Sequence, residues 1–406
     1  MEDVKQKKKI FGFLPVLSNL GFLLLWLGQL TSQLADRVFV YVLMIVMYQL
    51  THSNLGVSLP LLAFGIPSVL IAPFAGVFAD KLDRKWIMVV SDVLRGLLIL
   101  LIIPAAAKSV VLIFVISLFI YSAAQFFAPA ESSAIPELVE KHNLIVANSL
   151  FMITWMASSV VGLGLGAPIV NLVAEKGAFV AAAILYLISA AAILLVPLKA
   201  KEPSKHQSHV LKDIIIGFEY IRRKQIVQVA LLKLFVSAAA IATLSLLAIT
   251  YSGKVLMIGE KNFGYLIIVV GVGMLIGMAT LEKLRHYLKM GTIVIISFLF
   301  SGAALIALSL TADLRLAMFL IAILGMGNIY ITSTLQTILQ SKIPRQIRGR
   351  VFGVQNMLIN SAFTFPVVIF GAVADIWGIL FAMAVLGWLV IATGLSGFLF
   401  PKFKTA

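Results

Sequence analysis

The sequence predicts an all-α integral membrane protein whose twelve transmembrane helices form two bundles of six. Apolar residues make up 61% of the 406 residues and charged residues only 12%, whereas soluble domains average roughly 45–50% and 25%. The apolar residues occur in long runs and not in the ten-residue alternating segments of a membrane β-barrel, so the spans are predicted to be helices. One long polar stretch near the middle of the chain separates the runs into two equal sets.

Runs of about 20 or more mostly apolar residues mark the candidate spans. The first run lacks the charged start and the small-residue cleavage site of a signal peptide, so it is expected to remain in the mature protein. The predicted spans are 17–49, 55–79, 86–106, 109–129, 147–173 and 178–198 in the first half, and 226–252, 262–281, 290–311, 314–340, 350–375 and 378–400 in the second.

The polar stretch is predicted to be a cytoplasmic linker between the bundles. It divides the chain into an N-terminal bundle at 1–198, a linker at 199–225 and a C-terminal bundle at 226–406. Apolar residues recur in the linker at helical spacing among charged ones, which predicts an amphipathic helix on the membrane surface. These apolar residues are Val210, Leu211, Ile214, Ile215, Phe218 and Ile221.

The distribution of basic residues predicts the orientation. With both termini inside, 24 of the 32 Lys and Arg residues fall in inner segments and only 5 in outer loops, as the positive-inside rule requires. We therefore expect a multi-pass protein of the inner (plasma) membrane with both termini in the cytoplasm. Orientation also accounts for the formal charge of +15, so no nucleic-acid partner is expected.

The chain has no cysteine, and its five histidines lie in predicted loops or at loop edges without metal-site spacing, so neither a metal nor another cofactor is expected.

Several motifs identify a family resemblance. The residues from Gly76 to Lys85, with Asp80 and Arg84, fit the loop signature GxxxD(R/K)xxRR/K of the major facilitator superfamily. Other segments resemble the macrolide-efflux and enterobactin-exporter branch of its drug:proton antiporters, and the likeness covers nearly the whole chain. These segments are Gly28–Asp36, Pro129-Ala130, Ile135–Val139, Ala147–Ser149 and Arg348–Val351. The antiporter signature of the fifth helix, GxxxGPxxGG, is only partly present, because Ala167 precedes Pro168 and the closing glycine pair is missing.

Asp36 is the strongest candidate for proton coupling. It lies near the middle of the first predicted span, where a carboxylate costs about 2.5–3.5 kcal/mol and should therefore face protein or a water-filled cavity. Gln29, Ser32 and Gln33 share its helix face. The functional interpretation is a carboxylate that binds and releases a proton during transport. The alternative is a structural ion pair or helix cap.

Arg37 and Lys233 are the candidates for a charge pair or gate with Asp36. Arg37 is its neighbour in sequence, but adjacent helical residues point about 100° apart, so it need not be the partner. Lys233 occupies the corresponding span of the second half. It is predicted either to approach Asp36 in one conformation or to extend its ammonium to the inner membrane surface.

A charged group is predicted where the second and third spans meet the cytoplasm. It contains Asp80, Arg84, Asp92 and Arg95, and the spacing of Asp92 and Arg95 allows an ion pair on one helix face. The resemblance implies that Asp80 and Arg84 belong to a loop that latches the bundles. Membrane anchoring is the alternative, and it accounts for the lysines of this loop but not for its aspartates.

Small and uncharged polar residues supply the remaining candidates. Gly162 and Gly166, with Pro168 after them, are predicted to allow close helix packing or bending. Polar residues in other spans are predicted either to line a substrate cavity or to form interhelical hydrogen bonds. The cavity candidates are Gln29, Gln33, Tyr121, Gln125, Trp155, Asn328, Gln336 and Asn360.

These features together predict a secondary transporter. No nucleotide-binding GxxxxGK(S/T) loop is present, so the chain cannot by itself couple transport to nucleotide hydrolysis, and energy must come from a gradient or from nothing. No catalytic motif lies at the end of a span, so an enzyme is not expected. The leading hypothesis is proton-coupled efflux, by antiport and alternating access, of a lipophilic or amphipathic molecule such as a drug in multidrug resistance. Its expected partners are membrane lipid, protons and a small-molecule substrate, and the protein is expected to be a monomer. The alternatives are a lysophospholipid or other lipid transporter of the same fold and a receptor-like protein that transports nothing.

Overall fold

The structure is a computed structural model that describes residues 14–105, 109–198, 210–344, 346–400 and 403. Helices dominate these residues, and they contain no β-strand. The helices are α1 (Leu14–Leu17), α2 (Leu20–Thr51), α3 (Asn54–Leu70), α4 (Ala72–Lys81), α5 (Arg84–Ala105), α6 (Val110–Leu138), α7 (Leu144–Leu194), α8 (Val210–Arg223), α9 (Gln225–Thr250), α10 (Phe263–Tyr287), α11 (Met290–Ser309), α12 (Leu314–Lys342), α13 (Arg348–Ala362), α14 (Phe365–Trp377) and α15 (Ile379–Leu395).

Ten helical stretches in the described residues are long and apolar enough to cross a membrane. The 51-residue α7 contains two predicted spans, because its backbone leaves the helical conformation at Ala174, where φ is 56° and ψ is 178°. The predicted span 55–79 is present as α3 and α4, with a proline in the first turn of α4, where the missing N–H interrupts the helix. The predicted membrane fold of twelve transmembrane segments is therefore confirmed.

The chain divides into two compact units. Unit 1 contains Met1–Val46 and Ile66–Ser208, and unit 2 contains Met47–Gly65 and His209–Ala406. The segment 47–65 was predicted to belong to the N-terminal bundle, but it packs within unit 2. Residues 199–209 of the predicted linker lie outside the described residues.

The core of unit 1 is formed by α2, α5, α6 and α7. Buried side chains such as Phe22 of α2 and Phe151 of α7 lie together in one apolar cluster, with ring centroids 5.6 Å apart. Between α5 and α6, the Ser91 hydroxyl donates a hydrogen bond to the Ala123 carbonyl over 2.7 Å. These contacts fix the helix faces that carry the charged residues described below.

Unit 2 holds the predicted linker helix and the start of α3. The linker helix is α8, and its Asp213 forms an ion pair with Arg350 of α13 over 2.6 Å. The Asp375 carboxylate of α14 accepts hydrogen bonds from the backbone N–H groups of Asn54 and Leu55 over 2.8 and 2.9 Å. A carboxylate satisfies the free N–H groups of a helix N-terminus in this way, so Asp375 attaches the start of α3 to α14.

Candidate functional site

Asp36 lies in a network of polar contacts inside unit 1. Its Oδ1 accepts a hydrogen bond from Arg95 Nη1 of α5 over 3.2 Å and a second from the hydroxyl of Tyr186 of α7. The Asp36 side chain is 36% exposed, whereas that of Arg95 is 2% exposed. One oxygen of Asp36 thus connects three helices, and its carboxylate remains partly accessible.

Asp92 is the fully buried carboxylate of the same network. Its side chain is 0% exposed, and its Oδ1 accepts hydrogen bonds from Arg95 Nη2 and from Ser32 Oγ of α2. Its Oδ2 accepts a hydrogen bond from Ser189 Oγ of α7. These donors offset the cost of burying the charge, because a buried carboxylate is tolerated only when it is paired and hydrogen-bonded.

Arg95 connects the two carboxylates. Besides its two ion pairs, its Nη2 donates to Ser32 Oγ over 3.0 Å. Its guanidinium carbon lies 4.4 Å from the centre of the Tyr186 ring and 5.2 Å from that of Phe127, distances typical of cation–π contacts. We call Asp36, Asp92 and Arg95 the buried charge cluster.

The structure separates residues that the sequence analysis grouped together. Asp92 and Arg95 form the predicted i, i+3 pair, but they join Asp36 and are not part of a group with Arg84. Arg84 instead forms an ion pair with Glu137 of α6 and donates to the Ser133 carbonyl over 2.6 Å. The side chain of Asp80 lies outside the described residues.

The partner of Asp36 also differs from the candidates named from the sequence. In the described part of the chain its ion pair is with Arg95 and not with Arg37. Arg37 packs against α7, where a Cβ on Gly162 would lie 2.6 Å from its own Cβ. A Cβ on Gly166 would lie 2.3 Å from the ring of Tyr41. Both glycines therefore permit the close approach of α2 and α7. Gly166 lies two residues before Pro168.

Lys233 of α9 lies at the C-terminal end of α15 in unit 2. It is 1% exposed, and its ammonium donates to the Thr393 carbonyl and, over 3.3 Å, to Ser396 Oγ. It also lies 5.2 Å from the centre of the Phe298 ring. A cation at a helix C-terminus stabilises the free carbonyls there. The described partners of Lys233 are thus a carbonyl, a hydroxyl and aromatic rings, and its predicted roles as a gate or as a surface anchor stay predictions.

The cavity candidates of unit 1 lie in varied surroundings. Gln29 and Tyr121 are buried, and the Tyr121 ring centre is 5.8 Å from that of Phe39. Gln125 donates to the Tyr121 carbonyl of its own helix over 3.1 Å. Gln33 is half-buried and Trp155 is exposed. The hydrogen bond of Gln125 is thus intrahelical, and the cavity interpretation of these five residues stays a prediction.

Unit 2 contains a small cavity of about 30 Å³ between α9, α11, α12 and α15. Eight of its eleven lining residues are apolar, and the polar ones are Ser237, Ser301 and Asn328. Asn328 donates to Ser237 Oγ over 3.1 Å.

The other two cavity candidates of unit 2, Gln336 and Asn360, do not line this cavity. Gln336 accepts a hydrogen bond from Gln355 over 2.9 Å, and the Asn360 carbonyl accepts one from Thr364 over 3.3 Å.

Three residues of unit 1 near the cluster were missed from the sequence. Tyr186 and Ser189 lie three residues apart in a predicted span, a spacing that signals a shared helix face. Glu131 was missed because the predicted span ended at residue 129, whereas α6 continues to Leu138. A buried acid was therefore assigned to a loop.

The chemistry available in unit 1 is that of carboxylates and guanidinium groups. Among the described residues, no group of three or more His, Asp or Glu is positioned to hold a metal ion. Asp36, Asp92 and Glu131 lie inside unit 1 together with Arg37 and Arg95. Binding of a proton to Asp36 would remove an attraction that now joins α2 to α5.

The fold and this cluster define a multi-pass helical membrane protein with ionisable groups inside its spans. The model of the Major Facilitator Superfamily matches residues 25–366. The chain belongs to the major facilitator superfamily.

Curated relatives include two exporters. Macrolide efflux protein A from Streptococcus pyogenes is 24% identical over 390 residues, which cover 92% of this chain and 94% of that protein. The enterobactin exporter EntS from Shigella boydii is 25% identical over 312 residues, or 75% of this chain and 73% of that protein. The predicted resemblance to this branch is confirmed, and the chain is a transporter of this superfamily with efflux proteins among its relatives.

A solved structure shows the same fold. The crystal structure of the nucleoside transporter NupG superposes with a TM-score of 0.74 at 11% identity, covering 93% of this chain and 98% of that one. At this identity the likeness concerns the fold alone.

Proposed function

We propose that this transporter exports a lipophilic or amphipathic small molecule in exchange for protons, by alternating access. The single observation that carries the proposal is the position of Asp36. Its carboxylate lies within a transmembrane helix, is partly accessible and contacts Arg95 and Tyr186 from two other helices. An ionisable group at such a depth is expensive to maintain and is typical of a proton or ion pathway.

Protonation of Asp36 would change the contacts between three helices. The ionised carboxylate attracts the Arg95 guanidinium, and a neutral acid loses most of that attraction. Arg95 then remains paired with Asp92 alone, and the contact between α2 and α5 is reduced to the hydrogen bonds of Ser32. A proton can thereby favour one arrangement of the helices over another, which is the requirement for coupling a gradient to alternating access.

The lining of the small cavity in unit 2 supports the proposed substrate class by its chemistry and not by its volume of about 30 Å³. Its lining is mostly apolar, with the hydroxyl groups of Ser237 and Ser301 and the amide of Asn328 as hydrogen-bonding groups. Pockets of this composition bind apolar molecules and orient them with a few polar contacts. The export of macrolides and of enterobactin by relatives supports a bulky amphipathic substrate over a sugar or a phosphate.

The membrane location, the orientation and the oligomeric state are also proposed. The excess of Lys and Arg in the inner segments supports an inner (plasma) membrane location with both termini in the cytoplasm. We propose that the monomer is the transporting unit and that it works as an antiporter without an enzymatic activity.

Asp36→Asn tests the coupling role. Purified protein in liposomes is given a pH gradient, and accumulation of a lipophilic dye or a macrolide is measured. We expect the variant to lose gradient-driven accumulation while still equilibrating the probe, since the uncharged amide cannot exchange a proton. The matched control is Asp313→Asn, because Asp313 caps the start of α12 and asparagine is an equally good cap. Unchanged accumulation by Asp36→Asn would remove Asp36 from the coupling mechanism.

The same liposomes separate the alternative functions. Movement of a fluorescent lysophospholipid that persists after the pH gradient is collapsed would replace the proposal with lipid transport. Binding of probes without any movement across sealed vesicles would indicate a receptor-like protein.

A further inference from the structure

Glu131 is a buried acid of unit 1 to which neither the sequence nor the cluster gives a role. It lies about two turns before the end of α6 at Leu138 and is 8% exposed. Its Oε1 has no hydrogen-bond partner among the described residues. None of the ion pairs in the described part of the chain includes it. An ionised carboxylate in this position would lack the pairing that burial requires.

The surroundings of Glu131 are mainly apolar. Neighbouring residues of α6, among them Phe127 and Ala134, lie in the buried cluster of unit 1 together with Met88 of α5 and Ala79 of α4. The charged groups that interact with Glu131 are Asp92 and Arg95 of α5. Arg84 of the same helix is engaged by Glu137 and Ser133, and the side chains of Asp80 and Lys81 of α4 lie outside the described residues.

The charges inside unit 1 leave one carboxylate without a counter-ion. Asp36 and Asp92 are paired with Arg95, and Asp36 also interacts with the charge of Arg37. Two guanidinium groups thus balance two aspartates. The third acid, Glu131, is the one without a polar contact at its Oε1, so it is the acid for which the neutral form costs least.

We propose that Glu131 holds a proton in this state and gives it up when Arg95 leaves Asp36, which deepens the proton-coupled export proposed above and rests on it. Arg95 Nε has no hydrogen-bond partner among the described residues, so the guanidinium has a donor to offer. When Asp36 takes up a proton, its hold on Arg95 weakens, and Arg95 can stabilise an ionised Glu131 instead. One proton binds at the Asp36 carboxylate, and one leaves the Glu131 carboxyl group for water at the inner end of α6.

Infrared spectroscopy of the purified protein at pH 7 tests this directly. Ordinary carboxyl groups are ionised at this pH because their pKa values lie near 4, and they give no carbonyl band of a protonated acid. A buried neutral acid does give this band, and the band shifts when the protein is transferred to D₂O. We expect this band in the wild type and its loss in Glu131→Gln. We also expect the band to weaken or disappear in Asp36→Asn, because the neutral amide, like a protonated Asp36, no longer holds Arg95 by charge. Glu140→Gln is the matched control, because the Glu140 side chain is 79% exposed in the loop after α6.

The assignment can fail in a defined way. A band that survives in Glu131→Gln places the proton elsewhere, and an unchanged band in Asp36→Asn shows that Glu131 keeps its proton when Asp36 is neutral; either result overturns the proposal. Glutamine resembles the neutral acid in size, so Glu131→Gln should fold normally. If it does not accumulate, Glu131→Asp keeps an acid on a shorter side chain, and a band of unchanged frequency in that variant overturns the proposal.

Transport distinguishes this inference from the function on which it rests. We expect Glu131→Gln to lose pH-driven accumulation of the lipophilic dye in liposomes, and Glu131→Asp to restore part of it. If the wild type transports the dye independently of the pH gradient, the proposed function fails, while the infrared result still reports whether Glu131 is protonated. If the wild type is coupled and Glu131→Gln is coupled equally well, only the role of Glu131 in coupling is wrong.

Discussion

The two units use buried polar residues in different ways. In unit 1, two aspartates share one arginine, and a partly accessible carboxylate joins three helices. In unit 2, the buried cation Lys233 holds the end of one helix, and the pocket is lined by uncharged side chains. Burial of a charge therefore does not by itself indicate transport chemistry. In the proposed mechanism a proton on Asp36 weakens its pair with Arg95, whereas the described contacts of Lys233 with a carbonyl and a hydroxyl involve no second acid or base.

The largest effect is expected from Arg95→Leu in unit 1. The change leaves Asp36 and Asp92 without their cation, and breaking a buried ion pair costs about 3–5 kcal/mol. We expect a large loss of thermal stability in detergent, together with loss of gradient-driven transport. Arg222→Gln is the control, since Arg222 is exposed on α8. If Arg95→Leu is as stable as the control, the cluster does not hold unit 1 together.

A smaller effect, of a different kind, is expected from Lys233→Met in unit 2. The variant loses charge-assisted hydrogen bonds at the end of α15, which are worth about 1.5–3 kcal/mol, while methionine keeps most of the packing against Phe298. Stability in thermal unfolding should fall, and the pH dependence of the remaining transport should match that of the wild type. A shift of that pH dependence would show that Lys233 takes part in coupling, and the contrast between the units would disappear.

The sequence predicted more of the fold than of the cluster. Hydropathy finds membrane helices because every backbone group in lipid must be satisfied within a helix, and it located the spans well. It failed at their ends. The prediction stopped α6 at the polar residues after Pro129, although the helix continues to Leu138, and Glu131 was lost for that reason.

Pairing within one helix was predictable, and pairing between helices was not. The spacing of Asp92 and Arg95 places them on one face, and the structure contains that pair. The pairing of Arg95 with Asp36 depends on how α2 and α5 are rotated against each other, which no local spacing encodes. Lys233 likewise meets the end of α15 only through tertiary packing, so its partners could not be named from sequence.

The smallest effect is expected from a matched pair of glycine substitutions that compares packing in the two units. In unit 1, Gly166→Ala places a Cβ about 2.3 Å from the Tyr41 ring, and overpacking of this kind costs roughly 1–3 kcal/mol. In unit 2, Gly353 of α13 has nothing within 4 Å of its Cβ position, so Gly353→Ala should stabilise the helix by about 0.5–1 kcal/mol. Thermal unfolding of both variants measures the difference. Equal stabilities would mean that α2 and α7 can separate at no cost, and the tight contact beside the buried charge cluster would then not be what keeps Asp36 near Tyr186.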